Sequence, residues 1–253
     1  MFETIRRVGI IELNRPAKFN AINEALWAEL TSALRALEAA DVRVVLLRAR
    51  GKNFCTGGDL AAVKEMRTSR ARWADFIRVG HESLRALEAS RLPVVAAIQG
   101  LCLAGGLEIA LACDVAFAAK NAQFGDQHSN YGLIPGAGGT QRLPRAIGLR
   151  RALDFFYSGK WADAETAMQF GLVNYVVEPE RLHEAAMQYC AMLAERSPHG
   201  LVAMKRLARG GLHMEVNEAL RFEEEAVVDE LLHEDISEGL AAFEARRKPV
   251  FGS

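Results

Sequence analysis

The alternation of short apolar runs with longer segments of helical periodicity is the feature that most constrains the fold. The apolar runs are VGIIEL at 8–13, VRVVLLRA at 42–49, PVVAAIQG at 93–100, VAFAA at 115–119 and LVNYVV at 172–177. Between the first two runs, residues 23–40 carry apolar side chains at helical spacing, and Asn23 is placed as an N-cap. Strands that alternate with helices predict an α/β architecture with mainly parallel strand pairing.

The pattern changes from residue 180 onward. Four successive segments there have helical periodicity and are rich in charged residues. No low-complexity linker separates them from the rest of the chain. We therefore predict an α/β core over residues 1–199 and a C-terminal helical module over residues 200–253.

Composition excludes several classes of function. The chain has 31 Lys and Arg against 32 Asp and Glu, a net charge of −1, which does not favour binding to nucleic acid or to an anionic membrane. No apolar stretch approaches the about 20 residues that span a bilayer, and the first residues lack the pattern of a signal peptide. Of the four cysteines, none form a C-x-x-C pair, which indicates thiols in a reducing compartment. We expect a cytoplasmic protein that binds neither nucleic acid nor membrane.

Three glycine-rich corners each lead into a predicted helix. They are FCTGGDL at 54–60, QGLCLAGGLEIALACD at 99–114 and GLIPGAGGTQRLPR at 132–145. Backbone N–H groups at a helix start have no intrahelical partner and favour negative charge. Each corner alone is compatible with an ordinary turn. In a parallel sheet such corners tend to share one edge, so together they predict a site that polarises a carbonyl through backbone amides.

Glu108 and His128 are the candidate acid/base residues in and beside these corners. Glu108 lies in the first turn of a predicted helix among apolar neighbours, which suits either a favourable charge at the helix start or a general acid/base. His128 lies in the irregular stretch FGDQHSNYGLIPGAGG, as a loop residue or as a group that faces a reaction. Asp126 either orients that imidazole or faces solvent.

Other common site patterns are absent from the sequence. It contains no Walker pattern, no G-x-G-x-x-G between an early strand and helix, and no G-x-S-x-G elbow. The remaining histidines have no metal-ligand spacing, so we predict no metal site. They are His81, His183, His199, His213 and His233.

The motifs together resemble the crotonase (enoyl-CoA hydratase/isomerase) superfamily over essentially the whole chain. The matching segments are IELNRPAKFNAIN, FCTGGDL, AIQGLCLAGGLEIALACD, FGDQHSNYGLIPGAGGTQRLPRAIG, GLVNYVV and EGLAAFEARRKPVF. The resemblance implies an α/β spiral of ββα turns with C-terminal helices that form a homotrimer, often paired into a hexamer. It also implies a coenzyme A thioester as substrate and no separate cofactor.

The same resemblance implies an enoyl-CoA hydratase-type lyase that adds water to a 2-enoyl-CoA. The two N–H groups of its oxyanion hole fall on Gly58 and Gly105, and the first of two catalytic glutamates falls on Glu108. The position of the second glutamate holds His128 instead. This departure leaves open a double-bond isomerase, a hydrolase of acyl-CoA thioester or carbon–carbon bonds, and a non-catalytic acyl-CoA- or RNA-binding member, of which the net charge of −1 disfavours RNA binding.

Coenzyme A contacts are also implied by the resemblance. Arg15 and Lys18 are candidates for the phosphates, whereas Lys248 and Phe251 resemble residues that reach the nucleotide of a neighbouring subunit. The remaining predicted contacts are Phe19, Ala21, Gly57, Asp59, Leu60 and Gly136.

Overall fold

The computed structural model describes residues 2–252 and contains two sheets surrounded by helices. The strands are β1 (Phe2–Ile5), β2 (Val8–Leu13), β3 (Val44–Ala49), β4 (Val94–Ile98), β5 (Leu101–Leu103), β6 (Val115–Ala119), β7 (Gln123–Gly125), β8 (Ala162–Asp163) and β9 (Tyr175–Val177). The helices are α1 (Glu24–Glu38), α2 (Leu60–Met66), α3 (Arg70–Ala89), α4 (Gly105–Ala112), α5 (Gly139–Ile147), α6 (Leu149–Ser158), α7 (Ala164–Gln169), α8 (Leu182–Ala194), α9 (Pro198–Gly211), α10 (Val216–Glu230) and α11 (Glu234–Glu244).

The larger sheet has the strand order β1-β2-β3-β4-β6-β9. Its pairs are parallel apart from the antiparallel hairpin of β1 and β2, so the predicted α/β architecture with mainly parallel pairing is confirmed. The smaller sheet has the order β5-β7-β8. The sequence pattern missed β1 because all four of its residues are exposed and it therefore has no apolar face.

Helices cover both faces of the larger sheet. Val45 and Leu47 of β3 belong to the core on the side of α1 and α3, whereas Val44 and Leu46 belong to a second core against α8. Successive side chains of a strand point to opposite faces, so a strand covered on both sides must be apolar at every position. This burial explains the nearly continuous apolar run at 42–49.

Local signals also place α1 and α4 as predicted. The side chain of Asn23 accepts a hydrogen bond from the Leu26 N–H at 3.0 Å, which caps the start of α1. Helix α4 begins at Gly105, the first glycine of the predicted pair. A short turn at Gly100, whose φ is +56°, separates β4 from β5 within the segment that leads to this helix.

Helices α9 to α11 form most of the predicted C-terminal module. Lys205 and Arg209 of α9 both pair with Asp114, at 2.8 and 2.7 Å, and this contact docks α9 on the core. Large apolar side chains remain exposed beyond it at Leu212, Leu220, Leu232, Leu240 and Phe243. The boundary at residue 200 and the assembly into trimers stay predictions. No helix within residues 2–252 is long and apolar enough to cross a membrane.

Candidate active site

A cavity of about 790 Å³ opens where the three glycine corners meet. Gly58, Gly105 and Gly136, one from each corner, line it together with Glu108 and His128. The first two corners and the segment that carries His128 follow β3, β5 and β7 in the chain. The structure thus brings the glycine corners and both titratable side chains to one place.

The first two corners approach closely because they lack side chains at the contact. Gly57 has a φ of +94°, and a Cβ there would lie 2.8 Å from the Cβ of Ala104 and 3.2 Å from the Gly105 nitrogen. A Cβ on Gly106 would lie 2.2 Å from the carbonyl oxygen of Cys55. Gly58 and Gly105 can therefore border one cavity, and the N–H of Gly105 lies at the start of α4, ahead of the intrahelical hydrogen bonds.

Glu108 is buried and held by the third corner. Its Oε1 accepts hydrogen bonds from the N–H groups of Ala137 at 2.8 Å and Gly139 at 2.7 Å. Burial raises the pKa of the Glu108 carboxyl, and these amides and the charge of His128 offset only part of that rise. The carboxyl is consequently a stronger base than an exposed glutamate, and its Oε1 is fixed while Oε2 is left for other contacts.

His128 forms a pair with a buried carboxylate. Its Nδ1 lies 3.0 Å from both carboxylate oxygens of Asp126, and its backbone N–H donates to Asp126 Oδ1 at 3.2 Å. Asp126 is 2% exposed, so of the two roles expected from the sequence it has the orienting one. A carboxylate opposite Nδ1 keeps a proton on that nitrogen, and Nε2 is then the ring atom available to the cavity.

Asp126 also changes how His128 titrates. Burial lowers the pKa of the imidazole, but the hydrogen bond and charge of Asp126, assisted by the charge of Glu108, raise it above the ordinary histidine value. The charge of His128 works to lower the pKa of Glu108, and the charge of Glu108 works to raise the pKa of His128. Two titratable side chains therefore line the cavity, and the pKa of each lies above its ordinary value.

The predicted coenzyme A contacts lie in different places: some line the cavity, and others lie in the 15–21 segment. Leu60 and Gly136 line the cavity. Lys18 and Phe19 end an exposed 3-10 turn, and Phe19 has a φ of +52°. Ala21 is buried close by.

Arg15 connects this turn to Asp59. Its Nη2 lies 2.9 Å from Asp59 Oδ2, and its Nη1 donates to the carbonyl of Ala21. Asp59 in turn caps α2 by accepting from the Ala61 N–H at 3.0 Å. The guanidinium of Arg15 is thus engaged within the chain, which leaves Lys18 as the more accessible phosphate candidate.

Lys248 and Phe251 lie away from the cavity of their own chain. The carbonyl of Phe251 accepts from Arg43 at 3.0 Å, at the amino end of β3, whereas the cavity lies beyond its carboxyl end. Lys248 is 89% exposed and 3.7 Å from Glu195. Their role toward a neighbouring subunit stays a prediction.

Sequence reasoning missed the apolar wall of the cavity, which α1 and α3 supply. Its side chains include Trp27, Trp73, Phe76 and Ile77. Helical periodicity marks such residues only as core-facing, since it does not distinguish a packed core from a cavity wall. His81, which sequence reasoning considered only as a metal ligand, also lines the cavity, where burial and then the charges of two nearby arginines lower its pKa.

Asn20 was also missed. It is fully buried, and its side chain donates to the carbonyls of Arg50 at 3.0 Å and Asn53 at 2.8 Å. It accepts from the Arg15 N–H at 2.7 Å. Asn20 therefore ties the 15–21 segment to the loop that precedes the first corner. Within residues 2–252, no cluster of three or more His, Cys, Asp or Glu side chains is arranged to hold a metal ion.

Comparisons with known proteins agree with this geometry. The sequence model of the family described as enoyl-CoA hydratase/isomerase matches residues 3–253. The chain is 38% identical over 252 residues to a "Probable enoyl-CoA hydratase" of Rhizobium meliloti, covering 99% of this chain and 96% of the relative. It is 34% identical over 244 residues to the "Short-chain-enoyl-CoA hydratase" of Clostridium acetobutylicum, covering 96% and 93%.

A solved structure extends the similarity to the fold. The crystal structure of an enoyl-CoA hydratase from Bacillus anthracis superposes with a TM-score of 0.95 at 33% identity, covering 99% of this chain and 98% of that one. The predicted crotonase fold is thereby confirmed. The chain belongs to the enoyl-CoA hydratase/isomerase family.

Proposed function

We propose that the protein is an enoyl-CoA hydratase that adds water across the conjugated double bond of a 2-enoyl-CoA. The observation that carries this proposal is the convergence of Glu108 and His128 on the cavity that Gly58 and Gly105 also line. Hydration needs a group that takes a proton from water, a group that delivers a proton to carbon, and donors for the charge on the thioester oxygen.

Gly58 and Gly105 supply those donors in this proposal. As water bonds to the β-carbon, the electron pair of the double bond moves toward the thioester, and its oxygen gains negative charge. Backbone N–H groups aimed at that oxygen stabilise it, and the start of α4 adds the favourable end of the helix dipole. Removing one donor from comparable sites costs about 3–4 kcal/mol of transition-state stabilisation.

Glu108 and His128 then divide the proton transfers. The Glu108 carboxylate takes a proton from water as the water oxygen bonds to the β-carbon, and the His128 imidazolium gives a proton to the α-carbon. After these two transfers the Glu108 carboxyl is protonated and the His128 imidazole is neutral. Transfer of one proton from Glu108 to His128 then restores the starting carboxylate and imidazolium. The net change is one water added to the substrate.

Asp126 makes a histidine suitable at this position. A neutral imidazole has no proton to give from Nε2 when its single proton faces Asp126 through Nδ1, so the reaction requires the cation. The Asp126 carboxylate favours that cation and holds the ring by a contact of 3.0 Å.

The Asp126–His128 pair supports a second candidate, hydrolysis of an acyl-CoA thioester. With neutral His128, Nε2 is a base that takes a proton from water, and the same amides stabilise the tetrahedral oxyanion. Hydration remains the first candidate because the cavity holds a second titratable group, Glu108, which activates the water while His128 protonates the α-carbon.

In this proposal the acyl group lies in the cavity against the apolar side chains of α1 and α3. The coenzyme A moiety extends past Leu60, and its phosphates approach Lys18. The name of the Clostridium relative makes a short acyl chain the first to test. We further infer that the exposed apolar residues of α10 and α11 join copies of the chain into trimers or hexamers in the cytoplasm.

The test incubates the protein with crotonyl-CoA, a 3-enoyl-CoA and a saturated acyl-CoA. Hydratase activity removes the absorbance of the conjugated thioester and adds the mass of one water, without releasing a thiol. Shift of the double bond without a mass change identifies an isomerase, and thiol release identifies a hydrolase. Glu108→Gln serves as the inactive control. No reaction of any substrate above this control would refute the proposal.

A further inference from the structure

Arg142 contacts the loop that holds Glu108, although it does not line the cavity. From the first turns of α5, its Nη1 donates to the carbonyl of Ala137 at 2.6 Å. That carbonyl belongs to the peptide between the two N–H groups that bind Glu108, those of Ala137 and Gly139. The Arg142 guanidinium therefore binds the middle of the 137–139 segment, and the N–H groups at the two ends of this segment bind the Glu108 carboxylate.

Glycines allow both groups to reach this segment. Gly138 has a φ of +97°, and a Cβ there would lie 2.2 Å from Arg142 Nη1. A Cβ on Gly139 would lie 3.1 Å from Glu108 Oε1. Glycine also leaves the backbone conformationally free, so a segment with these residues needs an external contact to keep its amides in place.

Glu88 of α3 provides the brace for Arg142. Its two oxygens accept from Nε and Nη2 of Arg142, both at 2.7 Å, and the side chains are 24% and 15% exposed. Burial works to raise the pKa of Glu88, but the hydrogen bond and charge of Arg142, with Arg209 and His213, hold it below its ordinary value. A partly buried two-point pair of this kind is oriented more rigidly than a surface ion pair.

We propose that Arg142, braced by Glu88, is a positioning residue that keeps the Ala137 and Gly139 amides on Glu108. Its effect on turnover rests on the proposed hydratase function, whereas its effect on Glu108 does not. The hydrogen bonds from Nε and Nη2 of Arg142 to Glu88 would be enough to anchor α5 to α3. The Nη1 contact with Ala137 instead links the pair to the loop.

The expected consequence is a change in the base rather than in substrate binding. Without Arg142 the loop relaxes, the two N–H donors align less well with Oε1, and the pKa of Glu108 rises further. The charged groups that act directly on Glu108 are His128 and Asp126, and both remain in place. His81 of α3 faces Arg142, and its pKa rises when that charge is removed.

The experiment compares Arg142→Gln with a matched control, Arg78→Gln. Arg78 lies on α3, pairs with Glu82 at 2.9 Å and is exposed. We expect Arg142→Gln to lower kcat on crotonyl-CoA by about 10- to 100-fold, the loss typical of a small misplacement of a catalytic group. KM should change little, and Arg78→Gln should match wild type in both constants.

Carbon-13 NMR of labelled glutamate carboxyl groups gives a second measurement. The Glu108 signal is identified as the one that disappears in Glu108→Gln. The Glu108 titration should move to higher pH in Arg142→Gln and stay unchanged in Arg78→Gln. Glu88→Gln and Arg142→Lys each retain part of the contact between Glu88, Arg142 and Ala137, so they should shift the Glu108 titration by a smaller amount. These two variants supply the test if Arg142→Gln does not fold.

Wild-type turnover and wild-type Glu108 titration in Arg142→Gln would overturn the proposal. If wild type itself does not hydrate crotonyl-CoA, the proposed function fails, and the titration alone still decides the role of Arg142.

Discussion

Replacing Asp126 by Asn tests the coupling between the buried carboxylate and His128. Asn has nearly the same volume and keeps an acceptor oxygen, so the change removes chiefly the negative charge. That charge lies 3.0 Å from Nδ1 in a buried setting. Without it, burial remains as the main influence on the imidazole and favours its neutral form.

The size of the effect follows from the distance. Two unit charges about 4 Å apart interact by about 4 kcal/mol at an effective dielectric constant of 20, which is equivalent to about 3 pKa units. We expect the pKa of His128 to fall by about 1–3 units in Asp126→Asn. In wild type the raised pKa lets the imidazolium persist to higher pH, and activity that needs the cation is lost as pH rises through it.

Two measurements check this expectation. Histidine NMR titration gives the pKa of His128 directly, and the pH profile of kcat gives its kinetic counterpart. In Asp126→Asn the alkaline limb of the profile should move to lower pH by the same amount, and kcat at neutral pH should fall by about 10- to 1000-fold. An unchanged or higher pKa of His128 in the variant would refute the reasoning, and an unchanged alkaline limb with a lowered pKa would remove His128 from the proton transfer.

Other substitutions separate chemistry from stability. In steady-state kinetics, Glu108→Gln should lower kcat by about 10²–10⁴-fold with little change in acyl-CoA affinity. His128→Ala should lower kcat by a similar factor, and the double variant should lose little more than either single variant because the two groups act as a unit. The raised folded-state pKa of Glu108 means that its charge opposes folding above that pKa, so Glu108→Gln should melt higher than wild type at alkaline pH and lose this advantage as pH falls below the unfolded value. His128→Glu restores the common hydratase pair, and a mass assay should show hydration retained or increased; loss of hydration would contradict the shared role. Gly106→Ala places a Cβ 2.2 Å from the Cys55 carbonyl oxygen and should lower the free energy of unfolding by about 1–3 kcal/mol in urea titrations, whereas wild-type stability would show that the corner can yield.

Local patterns in the sequence were sufficient for the alternation of strands and helices in the larger sheet, but not for the smaller sheet of β5, β7 and β8. The run at 42–49 is apolar at successive positions because α1 and α8 cover opposite faces of β3, and this requirement is visible without a structure. Asn23 marks the start of α1 because its side chain serves an amide only three residues away. The exposed strand β1 carries no such signal, since it is held by pairing with β2 rather than by burial.

The resemblance identified Gly58, Gly105, Glu108 and His128, and the structure places all four around one cavity. It did not decide what a histidine does in a position that holds glutamate in similar hydratases. The structure adds Asp126, a buried carboxylate whose contact with Nδ1 favours the cationic form of the ring and raises the pKa of His128.

The amino-acid sequence by itself determined the alternation of apolar strands with helices, the glycine corners and the candidate acid and base, because each depends on residues close together in the chain. Only the tertiary structure decided the burial of Asp126, the cavity wall supplied by α3 and the hydrogen bond from Arg142 to the loop that binds Glu108. Arg142 and its brace Glu88 are 54 positions apart, and the Ala137 amide lies 29 positions from the carboxylate that it binds. Such contacts arise from the packing of α3, α4 and α5 against one another, and no local periodicity encodes which side chains then meet.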